Sequence, residues 1–247
     1  EIVNDIKERF DLLRIIKVHW DKSLFFENLK IFYSHSLKDK SEDKMESILK
    51  GKISTIGNND FYVIFFYDNN PCMENRVTTS GEAIVNTKIF DLKEKYRKKL
   101  TGTSIHSSND AWETNKDLTI LFGKNTEDFI ADESIGEIYS KNCIGVSGYD
   151  SLEQLFYVLN NTIDYCVLRN FEGIPEQYTL EGHDDIDLLV SHRDYAVRLT
   201  NAQPVFPQSY RVYHHITIKG KKVAFDFRHV GDDYYDKIWE KKILETR

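Results

Sequence analysis

The alternation of apolar and polar residues is clearest in the second half of the chain. Ser151 and Gln154 form a capping-box pair ahead of apolar residues at helical spacing, which predicts a helix beginning there. Short apolar runs predict strands further along, and a Lys-Gly-Lys turn between two of them indicates a β-hairpin. The predicted strands are 165–168, 186–190, 213–218 and 222–230, and a final helix begins near Asp236.

The first half has a weaker pattern. Its most apolar run, Phe61–Tyr67, predicts a buried strand, and the turn residues of Asp68–Pro71 end that strand. The polar segment Lys38–Lys52 indicates a surface connection. The other predicted elements are strands at 10–20 and 104–105 and helices at 22–37, 89–100 and about 109–122, the last of them ending at Gly123.

The stretch from 124 to 150 separates the two halves. It is weakly patterned and contains Gly136, Gly145 and Gly148. A chain of 247 residues is long enough for one or two domains. We therefore predict an α+β protein with one domain at residues 1–135 and a second at 136–247.

Composition excludes several classes of protein. The formal net charge is −7 and the basic residues form no stripe, so binding to extended nucleic acid is not expected. The three cysteines, Cys72, Cys143 and Cys166, are far apart, which argues against a zinc site or a disulfide framework and favours a reducing, cytoplasmic location. No apolar stretch is long enough to span a bilayer, so membrane insertion is not expected. The sequence leaves the oligomeric state open.

The strongest chemical signal is an Asp-x-Asp pair at the start of a predicted strand. Side chains alternate along a strand, so Asp185 and Asp187 point to one side while Ile186 and Leu188 point into the core. Two neighbouring carboxylates repel each other unless a cation such as Mg²⁺ or Mn²⁺ lies between them. A solvated pair, or one that caps a helix, is the simpler alternative.

A third carboxylate, Asp226, lies on an otherwise apolar predicted strand. Burying it without a partner is costly, which favours a specific role. If its strand lies beside the Asp185–Asp187 strand, the three carboxylates meet and can bind metal and orient an attacking hydroxyl. Arg228 shares the face of Asp226 and can neutralise a phosphate.

Residues 165–247 resemble the polymerase-β-like nucleotidyltransferase superfamily. The resemblance rests on the strand and turn at Val167–Phe171, the strand with Asp185 and Asp187, and a third Asp on a later strand. It implies a small domain with a mixed sheet, two Mg²⁺ ions held by the three Asp residues, and an acceptor that attacks a nucleotide phosphate.

The same resemblance indicates which residues bind the nucleotide. Arg169 and Asn170 stand in the turn after the first strand, and Arg228 follows the third Asp. The family has a Gly-Ser pair in that turn, where this chain has Asn170-Phe171.

His106 is the second chemical signal. A single His ahead of a helix is more often structural than catalytic. Catalysis requires one imidazole nitrogen facing a phosphate while a carboxylate holds the other.

The first half resembles the nucleoside diphosphate kinases over roughly residues 10–123. In that comparison His106 matches the phosphorylated His, Ser108 its neighbouring Ser, and Asp117 the carboxylate that orients the His. Lys17 resembles the Lys of the family's first strand, and Arg76 falls where a phosphate-binding Arg is expected. The resemblance implies a ferredoxin-like α/β domain, although Ser107 stands where the family has Gly.

These signals together predict an enzyme. It would use Mg²⁺ or Mn²⁺ and a nucleoside triphosphate to transfer a nucleotidyl group to a small hydroxyl or phosphate acceptor, for example a sugar in surface-polysaccharide synthesis. Three alternatives stay open at this point: phosphoryl transfer through His106, a metal-dependent glycosyltransferase, and a nucleotide-binding module without catalysis.

Overall fold

The structure is a computed structural model that describes residues 1–56, 59–78, 81–100, 104–169, 171–175, 185–205 and 213–246. Helices occur together with sheets of antiparallel and mixed strand direction, which confirms the predicted α+β class. Across the described ranges, none of the helices combines the length and the apolar character that a membrane crossing needs.

The chain divides into two compact units. Unit 1 comprises residues 1–28, 41–118 and 126–142, and unit 2 comprises residues 29–40, 119–125 and 143–247. The sequence prediction placed one boundary between 135 and 136, whereas the main division lies between Asn142 and Cys143 and two short earlier segments belong to unit 2.

The first half of the chain contains six helices and five strands among its described residues. The helices are α1 (Ile2–Arg9), α2 (Phe25–Phe32, after a 3-10 turn at Lys22–Leu24), α3 (Glu42–Ile56), α4 (Thr87–Lys99), α5 (Ala111–Phe122) and α6 (Thr126–Ala131). The strands are β1 (Asp11–His19), β2 (Asp60–Tyr67), β3 (Met73–Thr78), β4 (Gly81–Asn86) and β5 (Ile138–Tyr139).

Unit 1 is built around β1. This strand pairs antiparallel with β2 and parallel with β5, and its residues Ile16 and Val18 are buried. A hydrophobic cluster of Ile6, Phe10, Leu92 and Tyr96 joins α1 and α4 to the start of the sheet. The predicted strand over Phe61–Tyr67 is confirmed as β2, although it is half-buried rather than buried.

The segment predicted as a polar connection, Lys38–Lys52, is largely helical. Ser41 stands before α3 and its hydroxyl accepts a hydrogen bond from the Lys44 amide, as an N-capping residue does. Met45 and Leu49, four residues apart, are fully buried on one side of α3. The prediction was wrong because the apolar side of α3 consists of just these two buried residues, and the rest of the segment is strongly charged.

The ferredoxin-like α/β domain that the resemblance implies for the first half stays a prediction. The described strands form a three-stranded sheet, β2-β1-β5, and a separate antiparallel hairpin of β3 and β4. Val77 and Ile84 of this hairpin are exposed, whereas Val85 near the end of β4 is fully buried. Ser104 and Ile105, also predicted as a strand, lie outside regular structure.

The second half contains three helices and five strands among its described residues. The helices are α7 (Leu152–Thr162), α8 (Arg193–Leu199) and α9 (Lys237–Glu245). The strands are β6 (Tyr165–Val167), β7 (Ile186–Val190), β8 (Gln203–Pro204), β9 (His214–Ile218) and β10 (Lys221–His229). The predicted cap of α7 is confirmed, since the Ser151 hydroxyl accepts from the Gln154 amide at 3.2 Å.

The five strands form one mixed sheet in the order β6-β7-β10-β9-β8. β7 and β10 are parallel, and their other neighbours are antiparallel. The predicted hairpin is confirmed: Lys219 and Gly220 join β9 to β10, and both have positive φ, at 50° and 74°, as a type I′ turn requires. One face of β7 and β10 is apolar and buried, through Ile186, Leu188, Phe225 and Phe227.

His214 is a buried titratable group in this sheet. It is 4% exposed, its ring packs 5.5 Å from that of Phe227, and its Nδ1 atom has no hydrogen-bond partner within the described part of the chain. Burial first, and then the charge of Arg193, lowers the pKa of His214 to about 4. His214 is therefore neutral in the folded protein near pH 7.

Acidification should destabilise the fold through His214. Between about pH 6.5 and pH 4 the unfolded chain binds a proton at this residue that the folded chain does not, so the free energy of unfolding falls as the pH is lowered. The free energy of unfolding should fall by about 3 kcal/mol because of this residue. Urea unfolding of the wild type and His214→Phe at pH 7, 5.5 and 4 measures it. Parallel pH profiles for the two proteins would contradict the prediction.

Candidate functional site

Three carboxylates converge on the polar face of the second sheet. In the parallel pairing of β7 with β10, Asp187 lies directly opposite Asp226. Asp185 precedes β7 and lies on the same side of the strand as Asp187. The three residues offer carboxylate oxygens that all lie within 4.8 Å of one another. The structure therefore brings together the three Asp residues selected from the sequence.

This cluster combines burial with negative charge. Asp187 is 0% and Asp226 2% exposed, whereas the Asp185 side chain is 17% exposed. Buried carboxylates are stable only when cations or hydrogen-bond donors compensate for the lost water. A set of three hard oxygen ligands fits Mg²⁺ or Mn²⁺ better than it fits a softer metal.

Arg169 compensates part of this charge. It follows β6, and its Nε and Nη2 atoms donate to the two oxygens of Asp187 at 2.5 and 3.3 Å. Its Nη2 atom also lies 3.9 Å from Asp185. The hydrogen bond and the charge of Asp187 raise the pKa of the Arg169 guanidinium above its ordinary value. Because its side chain is 52% exposed, Arg169 is also able to reach a ligand in solvent.

Arg228 is held more tightly than Arg169. Its Nη2 atom lies 2.9 Å from an Asp226 oxygen, and its Nη1 atom lies 3.7 Å from Asp232. The Tyr234 ring covers it at 4.1 Å from the guanidinium carbon, and the side chain is only 14% exposed. Of the two arginines at this cluster, Arg169 is the more accessible, whereas Arg228 is paired with Asp226 and largely covered. Asn170, the third predicted nucleotide ligand, lies outside the described residues.

His106 belongs to a second cluster, in unit 1. Its Nε2 atom lies 3.1 Å from Oδ2 of Asp117, and the Ser108 hydroxyl donates to the same oxygen at 3.2 Å. Asp117 is nearly buried, while the His106 side chain is 30% exposed. Asp117 thus contacts the imidazole, and Ser108 contacts Asp117 rather than the ring.

Two charged residues of this cluster were not identified from the sequence. Lys116 is 1% exposed and its Nζ atom donates to Oδ1 of Asp117 at 2.6 Å. Glu113 lies one helical turn before Asp117, with an oxygen 4.0 Å from His106 Nε2. Glu113 could have been found from the sequence, because it stands four residues before Asp117 and therefore shares its face of α5.

The Lys116 charge changes the chemistry of Asp117. Burial alone would raise the pKa of the Asp117 carboxyl, but the Lys116 charge and the His106 hydrogen bond outweigh it and hold the pKa below its usual range. Asp117 is therefore an ionised, acceptor-only group that fixes the orientation of His106.

The two remaining residues predicted from the sequence, Lys17 and Arg76, lie on strands of unit 1. Lys17 is on β1, where its amide donates to the Glu137 carbonyl at 2.7 Å. Arg76 is on β3 of the exposed hairpin, where its guanidinium pairs with Glu74 at 2.6 Å. Neither of these contacts involves His106.

No protein-family model, no curated protein and no solved structure matches this chain.

Replacing Arg169 should strengthen divalent cation binding. Its guanidinium takes both Asp187 oxygens that a metal ion would use and adds a positive charge beside the ion, so Arg169→Gln should bind Mn²⁺ without nucleotide roughly tenfold more tightly. Electron paramagnetic resonance of free Mn²⁺ measures this affinity. Lys222→Gln, which removes an exposed charge at the start of β10, is the matched control. Equal or weaker affinity in Arg169→Gln would contradict the competition.

Proposed function

We propose that the chain is a divalent-metal-dependent nucleotidyltransferase, with Asp185, Asp187 and Asp226 holding Mg²⁺ or Mn²⁺. The observation that carries the proposal is the parallel register that places Asp187 opposite Asp226 with Asp185 beside them. Separate solvated carboxylates would not be buried in this way. The mixed β6-β7-β10 sheet also supports the small nucleotidyltransferase-type domain that the resemblance implied.

The proposed substrates are a nucleoside triphosphate and a small hydroxyl or phosphate acceptor, such as a sugar used in surface-polysaccharide synthesis in the cytoplasm. The bound cation would neutralise phosphate charge. The acceptor oxygen would attack the α-phosphorus, the new P–O bond would form, and pyrophosphate would leave. Asp226 would take the proton of the acceptor hydroxyl, while Arg169 would contact the phosphates.

Removing the central carboxylate should abolish metal-dependent nucleotide binding. Asp187→Asn halves the charge of the Asp187–Asp226 pair, so the rise in unfolding midpoint caused by nucleoside triphosphate with Mg²⁺ should disappear. Thermal unfolding with ATP, GTP, CTP and UTP, each with and without Mg²⁺, measures it. Pyrophosphate release with small hydroxyl acceptors should also fall by at least about a hundredfold.

The matched control is Asp194→Asn, which removes an exposed carboxylate from the first turn of α8. It should keep the wild-type shift. A shift of wild-type size in Asp187→Asn, or the absence of any Mg²⁺-dependent shift in the wild type, would refute the proposal.

The His106 cluster supports a second function for unit 1, phosphoryl transfer. The Nε2 atom of His106 is held by ionised Asp117, and this arrangement lets an imidazole present Nδ1 to a phosphorus atom. Attack on the terminal phosphorus of a nucleoside triphosphate would form a phosphorus–nitrogen bond and release the diphosphate. The buried Lys116–Asp117 pair would keep the carboxylate fixed as the histidine changes charge.

A phosphohistidine intermediate should be detectable and specific. Incubation with nucleoside triphosphate labelled in the γ-phosphate should give an acid-labile, base-stable label that His106→Ala loses and Asp117→Asn reduces by about tenfold or more. His19 is the matched control, because it forms a comparable pair with Asp60 at 2.9 Å in the same unit. Label that survives in His106→Ala, or that is lost in His19→Ala, would exclude this function.

A further inference from the structure

The loop from Gly231 to Tyr235, between β10 and α9, is held in one shape by a buried carboxylate. Glu240 is 0% exposed, and its two oxygens accept hydrogen bonds from the amides of Gly231 at 2.6 Å and Tyr235 at 3.2 Å. Asp232 accepts from the Tyr234 amide at 3.1 Å. Both oxygens of a buried carboxyl group therefore hold the loop against α9.

This loop adjoins the carboxylate cluster. The Tyr234 ring stacks on the Arg228 guanidinium, which itself pairs with Asp226. The rings of Tyr234 and Tyr235 meet edge to face with centroids 4.7 Å apart. A continuous series of contacts therefore leads from the proposed metal centre through Arg228 and Tyr234 to Tyr235.

Beyond Tyr235 lies an apolar recess. Tyr235, Asp236, Trp239 and Ile243 line a cavity of about 320 Å³. Tyr235 is 48% and Trp239 69% exposed, so two aromatic faces on a fixed loop and helix are open to solvent. Exposed aromatic residues beside a phosphate-binding centre form the kind of surface on which nucleobases stack.

We propose that the recess lined by Tyr235, Trp239 and Ile243 binds the nucleobase of the nucleotide whose phosphates bind at the carboxylate cluster. This inference rests on the proposed nucleotidyltransferase function and adds a position for the base. The metal and the arginines would contact the phosphates, so the flat, apolar nucleobase needs a different partner. The apolar lining of this open recess suits one face of a planar ring system.

The test separates binding of the base from binding of the phosphates. Isothermal titration calorimetry with Mg²⁺ compares the preferred nucleoside triphosphate with inorganic tripolyphosphate, which has no base. Trp239→Ala should weaken nucleotide binding by roughly five- to a hundredfold, the effect of losing one base–aromatic stack, and leave tripolyphosphate binding unchanged within about twofold. Trp239→Phe, which keeps an aromatic face, should recover most of the affinity.

Ile238→Ala is the matched control, because Ile238 is the 75%-exposed neighbour of Trp239 and does not line the recess. The inference is overturned if Trp239→Ala binds nucleotide like the wild type, if it loses tripolyphosphate binding equally, or if Ile238→Ala has the same effect. It is also overturned if the wild type self-associates and Trp239→Ala is monomeric in size-exclusion chromatography, since the recess would then bind a second copy of the chain.

These outcomes differ from failure of the proposed function. If neither nucleotide nor tripolyphosphate binds the wild type with Mg²⁺, the metal centre itself is refuted. If both ligands bind the wild type and Trp239→Ala equally well, only the position of the base is wrong.

Discussion

The structure of the second unit depends on compensating two carboxylates buried side by side. Asp187 and Asp226 face each other across parallel strands, where each would cost several kcal/mol without a partner. Arg169 compensates Asp187 and Arg228 compensates Asp226. The arginines in turn fix neighbouring structure, since the Tyr234 ring packs on Arg228. A divalent cation would therefore enter a site in which two arginines already offset part of the charge of three carboxylates, and it would compete with Arg169 for Asp187.

Local patterns made part of this arrangement predictable. Alternation along a strand placed Asp187 and Asp226 on polar faces, and both strands form as expected. The pairing of Arg169 with Asp187 was not predictable in the same way, because it depends on the antiparallel register of β6 with β7 and on a turn between them. From the sequence, Arg169 was considered only as a phosphate ligand. The structure shows that it is also a counter-ion of the site.

The first unit shows where such patterns fail. The helix α3 was missed because only Met45 and Leu49 mark its buried side within a charged segment. The hairpin of β3 and β4 was missed because its exposed strands lack the apolar alternation that identifies a half-buried strand. By contrast, the contact of His106 with Asp117 was implied by the resemblance to the nucleoside diphosphate kinases and is present. The buried charge of Lys116 beside that contact had no sequence signal of its own.

The two-residue turn at Lys219 and Gly220 has a consequence for the carboxylate cluster of Asp185, Asp187 and Asp226. It sets the register of β10, and the register decides which face of the sheet each residue of that strand occupies. One residue more or less in the turn would move Asp226 to the apolar face and bring Phe225 or Phe227 to the carboxylates. A chain that folded in the wrong register would therefore bury a charge in its core as well as lose its site. The cost of burying the Asp226 carboxylate would therefore disfavour the wrong register of the hairpin.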